Sequence, residues 1–125
     1  MLFRSLGARP FRKLLDVGQW ENGLPPNLLV TSGTRPERVW MVAEGRMEVR
    51  RGSDVVREIG AGDFVGETCF VGHRPMLADV VICEPVRFLS WPIVELESFM
   101  NEQPETGAAL QRVIGQSLVR KLESV

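Results

Sequence analysis

Groups capable of chemistry are concentrated between residues 60 and 80 of the chain. This stretch contains four glycines, one proline and the single histidine, His73. Gly66 precedes a segment with room for about one helical turn, and a helix start presents free backbone N–H groups that a glycine leaves accessible to an anion. Glycines in turns between strands also serve purely conformational needs. The stretch therefore predicts either an anion cradle or a turn-rich corner of a β-domain.

No combination of side chains in the sequence indicates catalysis. His73 lies between a glycine and Arg74, which is typical of an exposed loop histidine rather than of a general base. Cys69 lies near the start of the predicted turn, where a thiol can be activated, but a small buried residue is the better interpretation. Asp63 and Asp79 have no carboxylate partner at a catalytic spacing. We therefore predict that the chain is not an enzyme.

Length, composition and charge indicate the broad class. A chain of 125 residues suits one domain with a real core, and 44% hydrophobic and 25% charged residues are ordinary for a soluble protein. The net charge of −1 gives no electrostatic reason to expect a nucleic-acid partner. Cys69 and Cys83 form no paired motif and no apolar run could span a membrane, so we predict a reducing, cytoplasmic setting. We also predict no cofactor, because one histidine and two unpaired thiols cannot build a closed metal site.

Hydrophobic periodicity predicts the elements that position this stretch. Residues 1–20 predict short helices broken at Gly7 and Pro10, with Pro10 as a first helical residue and Gly18 as the stop. Residues 21–91 predict short strands whose spacing favours an antiparallel β-roll or jelly roll. Residues 92–125 predict two helices, the first beginning at Pro92. Together the segments form one mainly β domain, with the turn at 60–80 inside the roll.

The run Phe64-Val65-Gly66-Glu67, with Pro75 nine positions after Gly66, resembles the phosphate-binding cassette of cyclic-nucleotide-binding domains. The similarity extends from about Phe11 to Leu122, which is nearly the whole chain. It implies the β-roll fold of that family and a regulatory or sensory role without catalysis.

The resemblance also assigns roles to individual residues. Gly66 would admit a cyclic nucleotide, and Glu67 would accept a hydrogen bond from the ribose 2′-hydroxyl. Met76 stands where the family places its phosphate-binding arginine, so we expect the ligand to be altered or lost unless a nearby cation compensates. The backbone N–H groups of Thr68 and Cys69 would point at the phosphate. The predicted ligand-binding set is Gly66, Glu67, Thr68, Cys69, Arg74, Met76 and Leu77.

A second likeness concerns the ends of the chain. The pattern from Phe11 to Trp20 is similar to the opening of bacterial Popeye-like proteins, in which a β-roll of this type follows transmembrane helices. The stretch from Glu84 to Pro92 is similar to that group as well. The likeness implies the cytoplasmic domain of a longer membrane protein, with a transmembrane segment upstream.

The last predicted helix carries an apolar stripe that continues almost to the end of the chain. Its first half must pack on the roll, but its second half suits a second copy of the chain. We therefore predict a homodimer. The predicted interface is formed by Leu110, Ile114, Leu118 and Leu122.

Two other classes compete with a sensory domain. A β-roll without any ligand could serve as a scaffold or dimerisation module. A cupin-like enzyme would share the double-sheet architecture, but a cupin metal site needs several histidines together with a carboxylate on facing strands. His73 is the single histidine of the chain and cannot supply such a site, which argues against a cupin-like enzyme.

Overall fold

A computed structural model of the chain describes residues 8–67, 74–105, 107, 108 and 112, with side chains from residue 12 onward. Within these ranges the chain is mainly β, as predicted, with antiparallel strands in two sheets. The helices are α1 (Ala8–Val17) and α2 (Ile93–Glu102). The strands are β1 (Gln19–Gly23), β2 (Leu28–Val30), β3 (Arg38–Glu44), β4 (Met47–Arg51), β5 (Asp54–Ile59), β6 (Phe64–Val65), β7 (Asp79–Ile82) and β8 (Val86–Pro92).

The two sheets face each other as the halves of a β-roll. The first sheet has the strand order β1-β8-β3-β6 and the second has the order β2-β7-β4-β5. The inner faces enclose one apolar cluster, which includes Trp40, Val65 and Phe88. The opposite face of the first sheet carries a second cluster, in which Leu89 and Trp91 pack against Leu14 of α1 and the buried side of α2. The first sheet is therefore the middle of three layers.

Strand β8 shows why the middle layer is apolar on both sides. Its residues from Phe88 to Trp91 are all buried, although side chains of a strand alternate between faces. A strand covered on both faces appears in the sequence as a continuous rather than an alternating apolar run. Trp91 Nε1 donates a 2.8 Å hydrogen bond to the carbonyl oxygen of Leu14, so the buried indole is satisfied while it holds α1 on the sheet.

The predicted boundaries need two corrections at the N-terminal segment. Helix α1 begins at Ala8 and continues through Pro10, because proline is tolerated in the first turn, where its missing N–H has no acceptor in the helix. The helix ends at Val17 before Gly18, as predicted. Gln19 and Trp20 belong to β1 rather than to a helical segment that reaches residue 20, because they pair with Ser90 and Leu89 of β8.

The predicted C-terminal helices lie partly outside the described residues. Helix α2 starts directly after Pro92, which takes the N-cap position, and it buries Leu96 and Phe99. The backbone is also helical at residues 104–105 and 107–108. The four leucine and isoleucine positions of the predicted dimer interface lie outside the described residues. Within the described ranges, no helix is both long and apolar enough to cross a membrane.

Charged side chains on the outer face of β4 and beside it form ion pairs with one another. Arg46 pairs with Glu58 at 2.7 Å and with Glu48 at 3.4 Å, and Arg50 also pairs with Glu48. The hydrogen bond from Arg50 holds the pKa of the Glu48 carboxyl below its usual value. Met47 and Val49 thus pack on the inner cluster, whereas the charged residues that alternate with them lie on the outer face.

This network predicts a pH dependence of stability. Because the pKa of Glu48 is lowered in the folded chain, its stabilisation is present above pH 4.5, the ordinary glutamate pKa, and is lost as pH falls below it. We expect Glu48→Gln to lower the melting temperature slightly at pH 7 and to flatten its decline between about pH 5 and pH 3. Calorimetric melting measures both. Glu97→Gln, on an exposed helix face, is the control and should keep the wild-type profile. A Glu48→Gln profile parallel to wild type would contradict the assignment.

Candidate functional site

The entry to the cassette-like turn is fixed by contact with β3. Strand β6 pairs with β3 through Trp40–Val65 and Met41–Phe64, and Gly66 follows directly. Gly66 has a φ of +88°, and a Cβ atom there would lie 2.7 Å from the carbonyl oxygen of Arg38. Both the positive φ and the close backbone approach require glycine. The glycine that the sequence marked as a possible anion contact therefore also has a structural reason to be there.

Glu67 continues this entry and its side chain is fully buried. Its backbone is helical. Full burial is rare for glutamate, since a carboxylate needs polar partners when water is removed. The position of Glu67 agrees with a carboxylate held inside the turn. Thr68, Cys69 and His73 lie outside the described residues, and their predicted roles stay predictions.

The far side of the turn is held by the β2–β3 connection. The backbone N–H of Met76 donates to the carbonyl oxygen of Thr34 at 2.8 Å, and that of Gly33 donates to the carbonyl oxygen of Met76 at 2.8 Å. Asp79 Oδ1 accepts a 2.7 Å hydrogen bond from the Ser32 N–H. These three bonds fix the backbone on which position 76 stands. Asp79 therefore acts as a structural acceptor here.

The side chains on this far side differ in exposure. Met76 is half-buried and packs against the inner apolar cluster. Leu77 is 73% exposed, and Arg74 is also exposed to solvent. The structure thus brings Gly66, Glu67 and Met76 into or against the roll, whereas Arg74 and Leu77 stand at its surface.

Neither a metal-binding cluster nor an activated thiol is present among the described residues of the chain. In the part of the chain that the structure describes, no three His, Cys, Asp or Glu side chains come together as a metal site would require. The Cys83 thiol lies near the outer charged network. Burial raises the pKa of this thiol, and a hydrogen bond with Glu48 raises it further. A raised pKa disfavours the reactive thiolate. The absence of a resident metal or cofactor stays a prediction.

Sequence reasoning missed one polar group inside the roll. Arg38 Nη1 donates to Ser90 Oγ at 3.0 Å, and Ser90 Oγ donates to Glu21 Oε2 at 2.8 Å. The three residues belong to β3, β8 and β1, which are neighbours in the first sheet. The available signal was Ser90 itself, a hydroxyl within the apolar run of β8. Such a buried hydroxyl predicts hydrogen-bond partners on the adjacent strands.

Comparison with known proteins decides the family. The family model described as "Cyclic nucleotide-binding domain" matches residues 25–103, which is well over half of the chain and includes the cassette-like turn. The chain belongs to the cyclic nucleotide-binding domain family. The predicted family resemblance is therefore confirmed at this level. The finer likeness to Popeye-like proteins stays a prediction.

Several solved structures share the fold over nearly the whole chain. A domain from Methylobacillus flagellatus superposes with a TM-score of 0.83 at 21% identity and covers 92% of this chain and 68% of that one. A putative cyclic nucleotide-binding protein from Geobacter metallireducens gives 0.82 at 14% identity, with 97% and 91% covered. The N-terminal domain of a Streptomyces coelicolor transcriptional regulator gives 0.79 at 21% identity, with 99% and 90% covered. At these identities the likeness shows the fold alone.

A curated relative extends the comparison to a longer protein. An uncharacterised Mycobacterium tuberculosis protein, found in two strains, is 33% identical over 57 residues, or 46% of this chain. The match spans 11% of the length of that protein. The match therefore assigns neither an activity nor a partner to this chain.

Proposed function

We propose that this chain is a non-enzymatic regulatory domain of the cyclic-nucleotide-binding type whose ligand has been altered or lost. The observation that carries the proposal is Met76, a thioether at the position where the cassette resemblance places an arginine. A cyclic phosphate is an anion, and a guanidinium is the side chain best suited to hold it through paired charge-assisted hydrogen bonds. Met76 has neither a charge nor a donor.

The surroundings of Met76 support the same conclusion. Its side chain packs on the inner apolar cluster, so an ionic group bound there would lose water without gaining a counter-charge. Arg74, the nearest cation in the sequence, is exposed and lies before Pro75. The carboxylate of Asp79 is engaged by the Ser32 N–H and adds negative charge to this side of the turn. Each feature disfavours a monoanionic ligand.

Titration of the natural chain with cyclic AMP and cyclic GMP tests the proposal. The absence of one charged partner costs roughly 2–5 kcal/mol, so a micromolar site would weaken to the millimolar range. We expect no binding below about 100 µM by isothermal calorimetry. Low-micromolar binding would refute the altered-ligand proposal. In that case Arg74→Gln, which should otherwise have no effect, would show whether Arg74 has taken over the phosphate.

We also propose that the chain forms a homodimer. The predicted interface rests on the apolar stripe of Leu110, Ile114, Leu118 and Leu122. Leu118→Glu combined with Leu122→Glu should give a folded monomer, because two buried charges would disfavour an apolar interface. Sedimentation measures the mass. Leu24→Glu, at a position 62% exposed in the turn after β1, is the control and should stay dimeric. A natural chain that is monomeric at high micromolar concentration would rule out the interface.

A further inference from the structure

A cavity of about 330 Å³ opens beside the cassette-like turn, between β2, the turn that follows it and the start of β3. None of the described residues of the 60–80 stretch lines this cavity. Its volume lies at the lower end of the range of about 300–1,000 Å³ for small-molecule sites. Its described lining includes Val30, Thr31, Thr34, Glu37, Arg38 and Trp40.

Arg38 gives the cavity a positioned cation. The hydrogen bond from Arg38 to Ser90 Oγ, and from Ser90 to Glu21, anchors one side of the guanidinium to a fully buried hydroxyl. A guanidinium has five N–H donors in a fixed planar arrangement. Among the described residues, Ser90 is the one acceptor hydrogen-bonded to this side chain. The remaining donors make no hydrogen bond to a described residue, so they could bind an anion that enters the cavity.

The rest of the lining suits an apolar body attached to that anion. Trp40 is 8% exposed and Val30 is 6% exposed, so both belong to the buried wall. Thr31 and Thr34 contribute hydroxyl groups, and the Thr34 hydroxyl is oriented by donating to the Thr31 carbonyl oxygen at 2.6 Å. These features describe a pocket with an apolar wall and a small number of polar groups, which is typical of ligand sites.

Glu37 is the acidic residue in the lining, and its exposure limits its effect. It is solvent-exposed, whereas Arg38 is half-buried. Water and salt screen an exposed charge more strongly than a half-buried one. Its backbone carbonyl oxygen accepts the Ile93 N–H at 2.8 Å, which fixes the backbone beside Arg38. The half-buried Glu21 carboxylate also lies near the guanidinium, on the far side of Ser90, and it is not part of the described lining. Arg38 is therefore the less screened of the two charged residues in that lining.

We propose that this cavity binds a small organic anion, with its carboxylate or phosphate on Arg38 and a flat apolar body against Trp40. The site goes beyond the cassette, because it uses none of the cassette residues that the structure describes. It stands whether or not the cassette binds a cyclic nucleotide. A failure of the cyclic-nucleotide titration and a failure at this cavity can therefore be told apart.

The probes are benzoate and phenyl phosphate, with benzylamine as the cationic counterpart of the same shape. The indole N–H resonance of Trp40, assigned in two-dimensional nitrogen–proton spectra of the full 125-residue chain, reports occupancy. For fragments of this size we expect saturable shifts with Kd of roughly 0.1–10 mM. Binding of phenyl phosphate alone would indicate a phosphate ligand, and binding of benzoate alone a carboxylate; either supports the site. Benzylamine should cause no saturable shift.

Two variants and one control decide whether Arg38 holds the anion. Arg38→Gln should weaken binding by about tenfold or more, because a charge-assisted pair is lost. Arg87→Gln is the matched control, since the Arg87 guanidinium lies 4.3 Å from the centre of the Trp20 ring; it should bind as wild type. If Arg38→Gln fails to fold, Thr31→Val on the exposed rim should still weaken binding several-fold. No saturable Trp40 shift up to about 20 mM, unchanged binding in the folded variants, or equal binding of benzylamine would overturn the proposal.

Discussion

The Met76→Arg variant binds cyclic AMP or cyclic GMP more tightly than the natural chain, by about 30-fold to several-thousand-fold, if the rest of the cradle is intact. This range corresponds to the roughly 2–5 kcal/mol that a charged partner contributes in a buried pair. The backbone at position 76 is already held by hydrogen bonds to Gly33 and Thr34, so the new side chain starts from a fixed point. Since Met76 packs toward the interior, a guanidinium there would be directed into the roll.

Isothermal calorimetry at one fixed salt concentration measures this gain. Met76→Gln is the matched control, because it has a similar length and polar donors but no charge. It should bind no better than the natural chain by more than a few-fold. If Met76→Arg is folded and still fails to bind, the cassette-like turn lacks other groups that the ligand needs besides the arginine. If the natural chain and Met76→Arg bind equally tightly, the charge at position 76 is irrelevant to the ligand.

The Gly66→Ala variant is destabilised by roughly 3 kcal/mol or more, even though no ligand is involved. A left-handed backbone conformation costs an alanine about 1–2 kcal/mol. The new Cβ would also stand 2.7 Å from the Arg38 carbonyl oxygen, a backbone atom of β3 that cannot move without disturbing the sheet. Strain and crowding at a packed position add to the conformational term.

Two other glycines separate these contributions. Gly33 has a φ of +85° but open space around its Cβ position, so Gly33→Ala should lose only about 1–2 kcal/mol. Gly60 has neither a positive φ nor a close neighbour, so Gly60→Ala should change stability by less than about 1 kcal/mol. Chemical denaturation gives all three values. A Gly66→Ala variant as stable as Gly33→Ala would show that β3 yields to the added carbon.

The fold was largely predictable because it depends on local patterns. The alternation of Met47 and Val49 with charged residues is typical of a half-buried strand. The end of β8, which is apolar apart from Ser90, is typical of a strand covered on both faces. The position of the cassette-like turn was predictable from Gly66 and its apolar neighbours. Helix α1 was placed only approximately, since the first turn of a helix accepts a proline that an interior turn rejects.

The candidate sites were less predictable, because they depend on register. Which residues of β1, β3 and β8 lie side by side is decided by pairing, and a shift by one residue would turn Ser90 away from its partners. The Arg38–Ser90–Glu21 group joins positions far apart in the sequence, and no local pattern announces it. The same holds for the bonds that fix Met76 to the β2–β3 connection.

Strand β6 is two residues long, yet it touches both apolar clusters. Phe64 packs with Leu14 and Leu96 on the helical side, whereas Val65 packs with the cluster between the sheets. Close-packed interiors leave little free space to absorb a displacement. Any ångström-scale movement of the backbone at Gly66 must therefore be shared with the ring of Phe64 and hence with α2. The shortest of the described strands therefore couples the position of the turn to that of the helical layer.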